Sequence, residues 1–220
     1  MNKNKFGFTL AEVLITLGII GVVAAMTLPT LIKNYQKQVY VTQLKKAYST
    51  LGNAINKMAV DEGVVDWKQT YCGTIQNLSN NQEIEEECFT RISKQFKTVK
   101  TKKIYERCNE EWCKAGMDLD KNGNIAWQPY NLFNGSSCGE VVTTDGFTYY
   151  FLSANNAPHI YVDINSRAKG PNKPGRDIFL FVVDWSNGKL LPDGTGQQLS
   201  CVEGQFDCTA KVLQEGKMNY

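Results

Sequence analysis

Between Phe8 and Ile32 the chain is apolar for the length of a bilayer and carries a single charge, the carboxylate of Glu12. As a helix rising 1.5 Å per residue, this stretch reaches about 37 Å, which crosses a hydrocarbon core of roughly 30 Å with some tilt. A charged side chain among lipid tails costs roughly 2.5–3.5 kcal/mol on insertion scales, so a segment that keeps one has a use for it. Lys3 and Lys5 precede the run and no basic residue follows until Lys33. That asymmetry favours a cytoplasmic N-terminus with the body on the far side of the membrane.

Two other readings compete. An ordinary secretory signal would take Val13 to Val23 as its core and be cut near Val23-Ala24-Ala25, but Glu12 falls where such a core begins and the apolar run continues past the cut. A buried core helix is the second. A helix apolar all round in a chain of 220 residues has little protein to cover it.

The residues at the start of the run, Gly7-Phe8-Thr9-Leu10-Ala11-Glu12-Val13-Leu14-Ile15, closely resemble the class III signal of type IV pilins and type II secretion pseudopilins. The resemblance implies a structural filament subunit, not an enzyme, processed by a membrane-embedded prepilin peptidase. The cut would lie between Gly7 and Phe8, and Phe8 would become the N-methylated first residue. Glu12 would then neutralise the Phe8 ammonium of an adjacent subunit, a buried pair that offsets part of the desolvation of both charges and sets subunit register.

The implied organisation is a leader at 1–7, a transmembrane and assembly half-helix at 8–32, and a periplasmic or extracellular globular domain at 33–220. The implied partners are the peptidase, other copies or minor subunits of the same filament, an inner-membrane assembly platform and the membrane itself. The chain would sit in a bacterial inner membrane as a single-pass protein before joining a periplasmic or cell-surface filament. A type IV pilus, a secretion pseudopilus and a DNA-uptake fibre all accommodate this pattern. The alternative from another class is a membrane-tethered or secreted binding protein or enzyme delivered by a conventional signal.

Within the apolar run, Gly18, Gly21 and Ala25 are small residues that let neighbouring backbones approach. Pro29 removes a backbone donor and predicts a kink. Further on, Leu44, Tyr48, Leu51, Ile55 and Met58 recur at spacings of four and three among lysines, the stripe of a core-facing helix. A helix from Phe8 to about Val60, ending near Asp61-Glu62-Gly63, would measure roughly 80 Å.

Roughly 160 residues follow, enough for one domain with a hydrophobic core. A net charge of +2 with mixed signs gives no nucleic-acid surface, and Lys97, Lys100, Lys102 and Lys103 read as a solvated basic face. Asp145-Gly146 between Val141–Thr144 and Phe147–Ser153 is a hairpin signal, followed by strands over His159–Ile164 and Asp177–Asp184. A short helix is expected around Ile84–Phe96. The fold class is α+β and pilin-like: a long N-terminal helix, half membrane and half amphipathic, packed on a C-terminal antiparallel β-meander.

All seven cysteines lie beyond the membrane segment, where this topology permits disulfides. Cys201 with Cys208 resembles the disulfide-bounded C-terminal loop of many type IV pilins, and Cys108 with Cys113 is the other local pair; the connectivity stays open. There is no Cys-x-x-Cys pair and one histidine, His159, so zinc and Cys–His catalysis are poor fits. His159 reads as a strand-end surface residue.

Asp163, Asn165, Asn172 and Asp177 flank a polar loop between two apolar strands and offer hard oxygens of the kind calcium takes. Pseudopilins that this chain resembles often hold calcium in a loop of the sheet, which makes structural calcium the one candidate cofactor. The competing reading is that these side chains cap turns.

Overall fold

The computed structural model describes residues 7, 9–74, 82–104, 118–119, 125–127, 138–154, 157–184, 187–196, 201 and 208–220. Its first element, α1 (Leu10–Asp61), is a 52-residue helix with Pro29 inside it. The chain forms two compact units, Met1–Val39 and Tyr40–Tyr220.

In the first unit the apolar side chains of α1 are exposed on every side, among them Leu14, Leu17, Ile20, Val23, Met26 and Leu31. A helix apolar all round and covered by nothing of its own requires lipid or other helices around it. It is long and apolar enough to cross a membrane.

In the second unit the same helix is amphipathic. Leu44, Ala47, Leu51, Ala54, Ile55 and Met58 are buried in the core. Gly63, at φ 72°, stops the helix by adopting the left-handed conformation that a Cβ disfavours. Gly63 N donates to Val60 O at 3.0 Å and Val64 N to Ala59 O at 2.9 Å, the paired bonds of a Schellman C-cap.

After α1 come α2 (Gln82–Ser93), β1 (Thr98–Ile104), β2 (Asp118–Leu119), β3 (Ile125–Trp127), β4 (Cys138–Thr143), β5 (Thr148–Ala154), β6 (Ala157–Asp163), β7 (Ile178–Asp184), β8 (Lys189–Pro192) and α3 (Cys208–Glu215). The main sheet is six-stranded in the order β1-β4-β5-β6-β7-β8, with every pair antiparallel. Strands β2 and β3 form a separate two-stranded sheet. This is the helix-then-meander, α+β arrangement expected from the sequence, and it is pilin-like.

The buried face of the sheet presents Val141, Tyr149, Ile160, Val162, Phe179, Phe181 and Val183 to the core that the helix stripe shares. Tyr48 stacks on Phe181 with ring centroids 5.3 Å apart. The Tyr149 hydroxyl donates to Ala47 O at 3.1 Å, so a buried phenol finds a backbone acceptor on α1. Helix α2 lies against β4 and β1. There Gly139 meets the Phe89 ring, and a Cβ at that position would fall 2.0 Å from it.

Several features go beyond the sequence reading or depart from it. Strand β1 includes Lys100, Lys102 and Lys103, read as a solvated basic face; it is the sheet's edge, where lysines are used to discourage pairing with other chains. Strand β8 and helix α3 were not anticipated. His159 is the third residue of β6, pairing with Leu152 and Val182, and is half-buried rather than a strand-end surface residue.

Candidate assembly site and buried polar cluster

Helix α1 starts where a reciprocal cap forces it to. The Thr9 backbone N–H and the Thr9 hydroxyl both donate to Glu12 Oε2 at 2.7 Å, and Glu12 N donates back to Thr9 Oγ1 at 3.3 Å. This is a capping box, in which residues three apart satisfy helix-start donors that have no partner within the helix. Glu12 also sits in the first turn, where a carboxylate favours the positive end of the helix dipole. The Thr-x-x-Glu spacing was visible in the sequence and was read there only as part of a signal.

The rest of the segment hides its few polar groups in the same way. Thr16 donates to the carbonyls of Glu12 and Val13, each at 2.9 Å, and Thr27 to Val23 O at 2.9 Å, so neither hydroxyl is left unpaired in an apolar setting. A Cβ placed on Gly18 or Gly21 would meet nothing within 4 Å, so these glycines relieve no crowding inside the chain. Gly7 is exposed, and Phe8 lies outside the described residues.

The second constellation is in the globular unit. All four oxygen-bearing residues picked from the sequence, Asp163, Asn165, Asn172 and Asp177, are buried, around the connection between β6 and β7. Asp177 is its hub. Its Oδ2 accepts from Asn172 N at 2.9 Å and Asn165 Nδ2 at 3.1 Å, and its Oδ1 from Lys173 N at 2.6 Å. Asn165 Nδ2 also reaches Gly170 O at 2.8 Å and the Tyr40 hydroxyl of α1 at 3.4 Å. Asp163 Oδ1 accepts from Asn165 N at 3.0 Å, an Asx-turn.

Positive φ at Ser166, Gly170, Asn172 and Gly175 lets the connection fold back on itself, and the Gly170–Pro171 bond is cis. The Tyr220 hydroxyl donates to Gly175 O, tying the last residue to the same loop. Burial raises the Asp177 carboxyl above its ordinary range despite the N–H donors around it.

For calcium the ligating oxygens must converge on one point with their lone pairs free. Here both Asp177 oxygens accept N–H groups and Asn165 donates its Nδ2 to Asp177, while Asn165 Oδ1 is buried and takes no hydrogen bond among the described residues. Among the described residues no group of three or more His, Cys, Asp or Glu is gathered to hold a metal.

Two disulfides are present among the described residues. Cys201 is bonded to Cys208, and Cys72 to Cys88. The second joins the segment after α1 to helix α2 across 16 residues, and no local spacing pointed to it. Cys108 and Cys113 lie outside the described residues.

Two known families match the chain. Residues 2–28 match the prokaryotic N-terminal methylation motif, the signature of a type IV pilin or pseudopilin-type prepilin signal. Residues 30–189 match a family of unknown function, DUF6613. No curated protein and no solved structure matches.

Proposed function

The chain belongs to the family of unknown function DUF6613 and carries a prepilin-type N-terminal signal, and we propose that it is a structural subunit of a type IV pilus-like or type II secretion filament. In this reading prepilin peptidase cuts between Gly7 and Phe8 and methylates Phe8. The subunit waits in the inner membrane with its N-terminus cytoplasmic, as Lys3 and Lys5 favour. It then assembles through α1, with Glu12 pairing to the Phe8 ammonium of its neighbour and the globular unit on the far side of the membrane.

The observation that carries this reading is the coincidence of the methylation motif at residues 2–28 with a capped helix whose apolar side chains are exposed all round. Lipid covers such a surface before assembly and other copies of the helix cover it afterwards. Mass spectrometry of the mature chain tests the proposal. A methylated Phe8 N-terminus is expected, whereas a start near Met26 means conventional signal cleavage and overturns it.

A further inference from the structure

The turn between β4 and β5 borders a surface cleft of about 250 Å³ whose other walls are α1 and the segment joining α2 to β1. Asn53 and Lys57 line it from α1, Gln95 and Lys97 from the segment, and Asp145 from the turn. Thr144 N donates to Lys97 O at 2.9 Å, which fixes the turn and the segment to each other. Sites for drug-sized ligands hold roughly 300–1,000 Å³, so an occupant here is limited to a single small ring.

Two cations of this cleft have no counter-charge. Lys57 and Lys97 are exposed and make no ion pair among the described residues. Asp145 does not supply one, because its Oδ2 is paired with Lys46 Nζ at 3.0 Å and its Oδ1 accepts from the Thr143 hydroxyl at 2.5 Å. The excess positive charge suits an anion. The same walls also hold acceptors. Each carboxylate oxygen of Asp145 has a further lone pair to offer. Gln95 donates Nε2 to Arg91 O at 3.4 Å, while its Oε1 is buried and takes no hydrogen bond among the described residues. A buried acceptor without a donor costs free energy that a hydroxyl would return. An ionised sulfate would answer the lysines but bring no donor to these acceptors. A ring bearing a carboxylate and several hydroxyls answers both.

We propose that this cleft binds an acidic sugar of the uronate type: Lys57 and Lys97 hold its carboxylate, and Asn53, Gln95 and Asp145 receive its hydroxyls. All five residues belong to the globular unit, so the site does not depend on how the chain assembles. It gives the globular unit a ligand of its own.

The test is saturation-transfer NMR on the full-length chain in an uncharged detergent, with glucuronate, glucose and inorganic phosphate as probes. Glucuronate is expected to give a saturable signal that weakens as salt is raised, because the lysines are exposed and their attraction is screened. Glucose, which lacks the carboxylate, is expected to bind at least five-fold more weakly. Lys57→Gln and Lys97→Gln should each weaken glucuronate about five-fold, the upper end for an exposed ion pair, and Lys189→Gln, outside the cleft, should not. Both cleft lysines are exposed, so unchanged thermal melting is expected in these variants. No saturable glucuronate signal, equal binding of glucose, or wild-type affinity in both cleft variants overturns the proposal. Displacement of glucuronate by an equal concentration of phosphate also overturns it, since that marks a site for any anion.

Discussion

Asn165 donates from its side-chain Nδ2 to Asp177 Oδ2 at 3.1 Å, joining the end of β6 to the residue before β7 across the whole intervening loop. Asp177 also receives the backbone N–H groups of Asn172 and Lys173, so removing its carboxylate strands these two donors and leaves Asn165 Nδ2 with Gly170 O. Asp177→Ala is expected to destabilise the globular unit by about 2–4 kcal/mol. Denaturant unfolding of the full chain in detergent measures it, and a change within about 0.5 kcal/mol would mean the loop is held by something else.

The same carboxylate gives stability a pH dependence with a definite sign. Burial raises its folded pKa above the unfolded value near 3.9, so the folded state holds the proton more tightly than the unfolded chain does. The contribution is fully present below the unfolded value and is lost as pH rises through the folded one. The stability of wild type minus that of Asp177→Asn should therefore decline from about pH 4 toward neutrality. A difference that is flat or rises with pH contradicts the assignment.

Because the oxygens of Asp177 already face N–H donors, calcium removal should leave the globular unit undisturbed. Melting of the purified chain is expected at the same temperature in excess EGTA as in millimolar calcium. A fall on chelation would instead mean that the loop opens around an ion.

The Cys72–Cys88 bond closes a loop of 16 residues between the end of α1 and α2. A loop of that size is worth about 3 kcal/mol through the entropy it removes from the unfolded chain. The paired change Cys72→Ser with Cys88→Ser is expected to cost that much, read as a lower denaturation midpoint with an unchanged slope. Reducing that variant should then lower the midpoint only by what its remaining disulfides, Cys201–Cys208 among them, contribute.

Gly139 on β4 is needed because α2 packs its Phe89 ring onto the strand backbone, leaving no room for a Cβ. Gly139→Ala should cost about 1–3 kcal/mol by overpacking. Phe89→Leu in the same chain should recover part of that loss, whereas a Gly139→Ala variant as stable as wild type would place the ring elsewhere.

The sequence by itself determined what periodicity and covalent order control. A lone carboxylate behind a Gly-Phe junction marked the signal, and the four-and-three stripe of Leu44, Leu51, Ile55 and Met58 announced the buried face of a helix. Asp145-Gly146 marked the β4–β5 turn. These features rest on residues a few positions apart, which local rules reach.

Tertiary structure decided whatever depends on residues far apart in the chain. Strand β1 carries the lysines of an edge and earns its place through backbone bonds to β4, whose residues lie some forty positions away. Cys72 found Cys88 because α2 folds back toward the end of α1. Asp163, Asn165, Asn172 and Asp177 were recognisable as a polar group, but which donors in the loop point at Asp177 is decided only in the fold. That direction is set when the loop between β6 and β7 is buried, because a polar group taken out of water costs free energy unless it is paired.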